Sequence, residues 1–211
     1  MTTPICHLCN TRPAIIIEGD PHACQECQDA RQQGKREKAL AKKLPQWQQE
    51  VGIPPRYRDV RIDPSLAYLA EKSLYLMGPT GTGKTHTLVG LAVHKYFQGE
   101  KDTLFVTMID LLDDVRQSFD QNSGTGDSLT KYLEVTNLFL DDLGVEKMTD
   151  WVRQTIDRII NHRYNWMLPT YLSSNLTLGG MAEVVDMRVA SRIAEMCEIV
   201  ELTGKDRRVS K

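Results

Sequence analysis

No apolar run in the 211-residue sequence approaches the roughly 20 residues that a membrane span requires. The first residues, Met1-Thr-Thr-Pro-Ile-Cys6, lack a basic patch followed by an apolar core, so no secretion signal is expected and the expected compartment is cytoplasmic. Charge of either sign is not in excess. With 26 Lys and Arg against 28 Asp and Glu, the net charge of −2 creates no global field that would draw the chain onto nucleic acid. Internal repeats are also missing. What is present is an ordinary globular mixture, 41% hydrophobic and 26% charged, which excludes disorder of the whole chain. Five cysteines in a reducing compartment point to metal binding more readily than to disulfides.

The chain reads as three regions: 1–30, 31–52 and 53–211. The first holds four of the five cysteines. Cys6-His-Leu-Cys9 and Cys24-Gln-Glu-Cys27 form two C-x2-C pairs with fourteen residues between them. A two-residue spacer lets two thiolates face one tetrahedral ion, so Cys6, Cys9, Cys24 and Cys27 are the candidate zinc ligands. His7 and His22 are competing ligands. Between the pairs, Ala14–Ile17 is expected as a strand and Glu18–Pro21 as a turn. So short a region cannot bury enough core to fold unaided, and metal would supply its stability. Cys197 is expected as a core residue on an apolar helix face. The second region is polar. From Arg31 to Lys43 it carries six basic residues against one acid, Glu37. It is expected as an exposed helix or linker, interrupted by Gly34 and stopped by Pro45.

From Ile53 onward, short apolar runs alternate with helical periods. The runs are Leu74–Met77, Leu104–Met108, Leu138–Leu140, Thr170–Leu172 and Ile199–Leu202. Helices are expected over 84–98, 150–166 and 181–197, where apolar residues recur at spacings of three and four. Continuously apolar strands alternating with such helices imply a mainly parallel sheet covered on both faces, an α/β fold. Residues 122–128 are expected as a loop.

Gly78-Pro79-Thr80-Gly81-Thr82-Gly83-Lys84-Thr85 fits the phosphate-loop pattern, directly after an expected strand and at the start of an expected helix. Backbone amides and the helix N-terminus would cradle the phosphates of ATP or ADP. Lys84 would reach the β- and γ-phosphates and Thr85 would coordinate Mg²⁺. The next run ends in Asp141-Asp142, at the carboxyl edge of a parallel sheet. Asp141 is a candidate Mg²⁺ ligand; Asp142 would orient or deprotonate the attacking water. Asn175, after Ser173-Ser174, would hydrogen-bond that water or the γ-phosphate, or merely sit in an N-cap region. Arg188 and Arg192, four apart on one helix face, are either surface arginines or a finger supplied to a neighbouring subunit's nucleotide.

These stretches together resemble the AAA+ ATPases of the DnaC/DnaI replicative helicase-loader family, with the IstB transposition ATPases as close cousins. The matching residues are Ile53-Pro-Pro-Arg-Tyr-Arg58, the GPTGTGKT loop, Leu140-Asp-Asp-Leu-Gly144 with Glu146-Lys147 and Trp151, Ser173-Ser-Asn175, Arg188-Val-Ala-Ser-Arg192 and the terminal GKDRR. The resemblance spans about three-quarters of the chain. It implies a five-stranded AAA+ sheet without a C-terminal lid, and a zinc-ribbon-like module at the N-terminus that grips a hexameric replicative DNA helicase. It also implies Asn175 as the sensor asparagine, Arg192 as the trans-acting finger with Arg188 beside it, and Arg208, or alternatively Arg207, as a second sensor. Self-association through the ATPase domain follows from a finger in trans. Asp142 stands where many AAA+ sites carry Glu, which fits slow or partner-stimulated hydrolysis. The expected function is loading of the helicase onto single-stranded DNA, with weak DNA binding by the chain alone. An IstB-like transposition helper and a nucleotide-sensing adaptor with little turnover are the alternatives.

Overall fold

The computed structural model describes residues 5–12, 14, 23–120, 128–204 and 206. The expected strand after Ala14, the turn at 18–21, His22, the loop at 122–127, Arg207 and Arg208 lie outside the described residues. The chain divides into two compact units, Met1–Trp47 and Gln48–Lys211.

In the first unit the four cysteines are followed by helix α1, Gln25–Glu50, which continues past the division between the units. The expectation that Gly34 interrupts this segment and Pro45 stops it is corrected: both lie inside the helix. Proline removes one backbone N–H and costs roughly 3 kcal/mol in a helix interior. Leu40, Leu44 and Trp47, spaced four and three apart on the helix around Pro45, are buried.

The second unit is built on five parallel strands: β1 (Ser73–Met77), β2 (Thr103–Thr107), β3 (Asn137–Leu143), β4 (Thr170–Ser174) and β5 (Cys197–Glu201). Their spatial order is β2-β3-β4-β1-β5. The helices are α2 (Lys84–Gln98), α3 (Met108–Asp120), α4 (Thr130–Glu134), α5 (Asp150–Asn165), α6 (Leu178–Val184) and α7 (Met187–Met196). Strand residues alternate between the two faces. Tyr75, Leu138, Leu140 and Leu172 join the core formed with α3, α4, α5, α6 and α7. The alternate residues Leu74, Leu76, Phe139 and Tyr171 are fully buried, and α2 packs against β3 and β4. Phe139 and Tyr171 stack with their centroids 4.3 Å apart. The five-stranded parallel α/β sheet expected from the sequence is present.

Two sequence expectations are corrected. The helix expected over 181–197 is two helices, α6 and α7, separated at Val185–Asp186. Asp186 is extended, and its carboxylate accepts from the Arg188 N–H, the N-cap role that Asp favours over a helix interior. Cys197 is buried as expected, but it opens β5 and does not lie on a helix face.

Arg163 locks the amino ends of the central strands. It is fully buried and donates to the carbonyls of Tyr132, Leu133, Val135, Thr136 and Pro169, and to the Thr170 hydroxyl. Tyr132 and Leu133 belong to the last turn of α4, whose carbonyls lack partners within the helix. Burial pulls the guanidinium pKa down to about 10, so it stays charged at neutral pH. Among the described residues, no helix is long and apolar enough to cross a membrane.

Candidate nucleotide site and sulfur cluster

The phosphate loop, the paired acids and Asn175 sit where β1, β3 and β4 end. A loop joins β1 to α2 and carries the phosphate-loop residues. Gly78 has a φ of 145°, and a Cβ there would fall 2.2 Å from the Leu202 carbonyl oxygen, so the backbone beyond β5 approaches too closely for any side chain. At Gly81 a Cβ would fall 2.0 Å from Asp206 Oδ1, so a carboxylate from beyond β5 lies against the loop. Thr82 is buried and donates to the Pro79 carbonyl at 2.9 Å.

Lys84 is buried at the first turn of α2. Its Nζ donates to Gly78 O at 2.7 Å, Pro79 O at 3.0 Å and Asn175 Oδ1 at 2.7 Å. The lysine, the loop and the end of β4 are therefore one hydrogen-bonded unit.

The acids owe their position to a bulge. Leu140 pairs with Leu172 and Leu143 with Ser174, so Asp141 and Asp142 together oppose Ser173 alone. Asp142 adopts a φ of 58°, a left-handed conformation uncommon for a residue with a side chain. The Ser173 hydroxyl serves both acids: it accepts from the Asp142 N–H at 2.9 Å and donates to Asp141 Oδ1. Ser174 ties β4 to β3 one step further on, donating to Leu143 O at 2.6 Å. Gly144 N–H donates to Glu146 Oε2 at 3.1 Å, which fixes the turn after the acids; the other Glu146 oxygen is buried without a hydrogen-bond partner.

Asp141 is only 3% exposed. Burial pushes its carboxyl above the ordinary range; the Ser173 hydroxyl opposes this, the Asp142 charge reinforces it, and a Thr85 hydrogen bond opposes it. Thr85 and Asp141, the two expected Mg²⁺ ligands, are thus in contact.

A cavity of about 580 Å³ opens over these groups. Thr80, Gly81, Gly83, Lys84, Thr85, Asp142 and Asn175 line it on the phosphate side. Arg56, Tyr57 and Val60 line it as well. Sequence reasoning assigned no site role to Arg56 or Tyr57; the signal was Pro54-Pro55, which begins the short 3₁₀ turn carrying both residues. Ser173 was likewise passed over, because a bulge cannot be read from a strand pattern. Arg192 is not among the residues lining the cavity. It lies on α7 and pairs with Asp157 of α5 at 2.9 Å. Arg188 is 78% exposed and only loosely paired with Asp186, at 3.6 Å.

In the first unit the sulfurs of Cys6, Cys9, Cys24 and Cys27 lie within 4.8 Å of one another, and Cys9 Sγ is 3.8 Å from Cys24 Sγ. Four sulfurs around one zinc at ~2.3 Å stand about 3.8 Å apart, so the donor set and spacing fit that ion. His7 is not part of the cluster. A hydrogen bond from the Thr11 side chain, foremost, holds the Cys9 thiol down to about 5, while the Cys24 thiol, foremost, pushes Cys27 up to about 12.

A parallel sheet in this order, with a glycine loop, a buried lysine and paired aspartates at one edge, defines a P-loop AAA+ domain. The chain belongs to the IstB-like ATP-binding protein family, whose model matches residues 32–211. The replicative helicase loader DnaI of Bacillus subtilis is 31% identical over 150 residues, which is 65% of this chain and 48% of that protein. The replicative helicase loader DnaC of Escherichia coli K12 is 27% identical over 123 residues, 57% of this chain and 49% of that protein. The chain thus spans about half the length of these curated relatives. The crystal structure of the DnaC helicase loader matches with a TM-score of 0.63 at 26% identity, over 71% of this chain and 100% of that one.

The Asp141 environment yields a pH prediction. A carboxyl whose folded-state pKa lies above its unfolded value contributes stability that is full below the unfolded pKa and is lost as pH rises through the folded one. In the nucleotide-free chain at pH 7, ionised Asp141 should therefore be a disadvantage. Asp141→Asn keeps the acceptor for Ser173 and should raise stability at pH 7 by up to about 1 kcal/mol. The gain should vanish near pH 4, close to the ordinary value of 3.8. Urea unfolding in chelator at both pH values measures this; a variant less stable than its parent at pH 7 would contradict it.

Proposed function

We propose that the chain is an ATPase that binds a hexameric replicative DNA helicase and loads it onto single-stranded DNA. The observation that carries this reading is the convergence of Lys84, Thr85, Asp141, Asp142 and Asn175 on one sheet edge. The loader names of the relatives supply its direction.

In this reading the amides of the loop and Lys84 take the β- and γ-phosphates of ATP. Lys84 then exchanges its carbonyl and Asn175 partners for phosphate oxygens, which frees the Asn175 amide for the γ-phosphate or the attacking water. Thr85 and Asp141 would hold Mg²⁺, which when bound neutralises charge on the phosphate oxygens. Asp142 orients the water and receives its proton as the water oxygen bonds to the γ-phosphorus. The bond from that phosphorus to the bridging oxygen breaks, giving ADP and phosphate. Arg192, with Arg188 beside it, would act on a neighbour's nucleotide. Arg208, or Arg207, keeps its expected role as a second sensor. Cys6, Cys9, Cys24 and Cys27 would hold a structural zinc, in a module that grips the helicase.

Full-length chain mixed with the replicative hexameric helicase of its own host should co-purify with it, and ATP should change the stability of the complex. Lys84→Ala should abolish the ATP dependence. A chain that ignores the helicase and instead coats duplex DNA in the presence of ATP would be an IstB-like transposition helper. A complex that forms with no turnover at all would leave a nucleotide-sensing adaptor.

The shared site has its own test. Lys84→Ala chains retain Arg192, and Arg192→Ala chains retain an intact nucleotide site. Each alone should be nearly inactive, since a finger contributes roughly 10³-fold or more to rate. Their mixture should regain part of the helicase-stimulated turnover. If the mixture stays inactive while both still assemble, Arg192 has no trans role.

For zinc, elemental analysis should find about one ion per chain. Cys9→Ser should lose it and Cys197→Ser should keep it. Freshly reduced protein without zinc would falsify the assignment.

A further inference from the structure

We infer that Arg153 of α5 is a positioning residue for Arg192: it fixes the junction between α6 and α7, and with it the helix that carries the trans arginine. The inference rests on the proposed trans role of Arg192. Arg153 is half-buried, and its Nη1 donates to the carbonyls of both Val184 and Val185 at 2.6 Å. Val184 is the last residue of α6 and Val185 is its C-cap. The last carbonyls of a helix have no partner inside it, and a cation there also meets the negative end of the helix dipole. Arg153 thus closes α6. One residue further on, Asp186 is extended and opens α7 by accepting from the Arg188 N–H at 2.7 Å. The junction is held by the arginine on one side and by the aspartate on the other.

Arg153, Asp157 and Tyr164 lie four and seven residues apart, so at 100° per residue they fall within about 40° of one line along α5. Each meets a different point of the α6–α7 segment: the end of α6, Arg192 at 2.9 Å and the Glu195 carboxylate. On its inner side α7 is held by Val189, Ala190 and Ile193 in the apolar core. Apolar burial is non-directional, so it fixes how deep a helix sits better than where its turns fall. Hydrogen bonds are directional and set that register. Of the three polar contacts, those of Asp157 and Tyr164 end on side chains, and Arg153 grips backbone. Asp157 must also release Arg192 when the arginine acts on a neighbour's nucleotide. At that moment Arg153 still holds the junction in place. Arg153 is not among the residues lining the cavity, so its effect on hydrolysis runs through α7 and not through its own chain's nucleotide site.

The experiment places Arg153→Ala on one side or the other of the mixed assembly. Lys84→Ala chains donate the trans arginine, and Arg192→Ala chains receive it. Alanine is the best helix former, so α5 should persist. On the donating chain, Arg153→Ala should lower the kcat of the helicase-stimulated mixture by about 10-fold, since a ~1 Å misplacement of a reacting group can cost about 10²-fold. The KM for ATP should not move. On the receiving chain the same substitution should leave kcat unchanged, because that chain has no arginine to position. Arg153→Lys keeps a cation and donors at the end of α6. On the donating chain it should fall between parent and Arg153→Ala, and it carries the same two-sided test should Arg153→Ala fail to fold. Equal losses from the two placements would make Arg153 a general support of the fold and overturn the inference, as would no loss from either. A parent mixture without activity would remove the trans role of Arg192 itself, and the inference with it, so the two failures are told apart.

Discussion

A lysine ammonium is kept just beyond the end of a strand, nearly out of water, and with no carboxylate among the groups it is shown to bond. Much of the nucleotide site follows from that constraint. Lys84 meets it with two loop carbonyls and the Asn175 side chain. The carbonyls can point inward only because the loop turns through glycine conformations that other residues avoid. Asn175 can reach only because β4 lies beside β1 in the sheet order. Sequence distance is then irrelevant: 91 residues separate the lysine from its amide partner, and the parallel sheet delivers both to one edge.

The two ends of the central strands are held by opposite devices. At the carboxyl edge, small hydroxyls do the work. Ser173 and Ser174 bridge β4 to β3 at the bulge, and the bulge turns two consecutive residues of one strand toward different tasks, Asp141 inward and Asp142 into the cavity. A regular ladder would point one of the two acids at each face of the sheet. At the amino edge a single large cation, Arg163, collects five carbonyls and a hydroxyl. Each buried acceptor left without its donor would cost about 1–3 kcal/mol. Strain at the functional edge, visible in the positive φ of Asp142, is thus set against firm anchoring at the other edge.

Much of this was legible in the sequence, for physical reasons. Strands buried on both faces announce themselves as apolar runs, and the phosphate loop announces itself because glycine and lysine are required at fixed positions. The sulfur cluster was legible for the same reason, since a two-residue spacer is a geometric requirement. What escaped was context. Asp186 interrupts an apolar period that reads as one helix, and only its cap to the Arg188 N–H reveals the break. Pro45 reads as a stop, yet α1 continues through it. Ser173 reads as a strand end until the register shows that it faces two residues rather than one. Arg163 looks like any basic residue near a helix end.

The Arg192–Asp157 pair bears on how a trans role could operate. An arginine meant for a neighbour must be restrained within its own chain without being lost to it. Its side chain is 25% exposed and that of Asp157 is 42% exposed, so solvent screens the pair and holds its contribution to about 0–1 kcal/mol. A γ-phosphate brought to α7 by another subunit offers more negative charge in a site with less water. Exchange of Asp157 for phosphate would then be favourable, and the small cost of leaving Asp157 would set a threshold. Isolated chains would keep Arg192 on Asp157. In the proposed reading, only an assembly that brings a nucleotide to α7 would draw it away, and hydrolysis would then depend on oligomerisation without any change in the fold of either subunit.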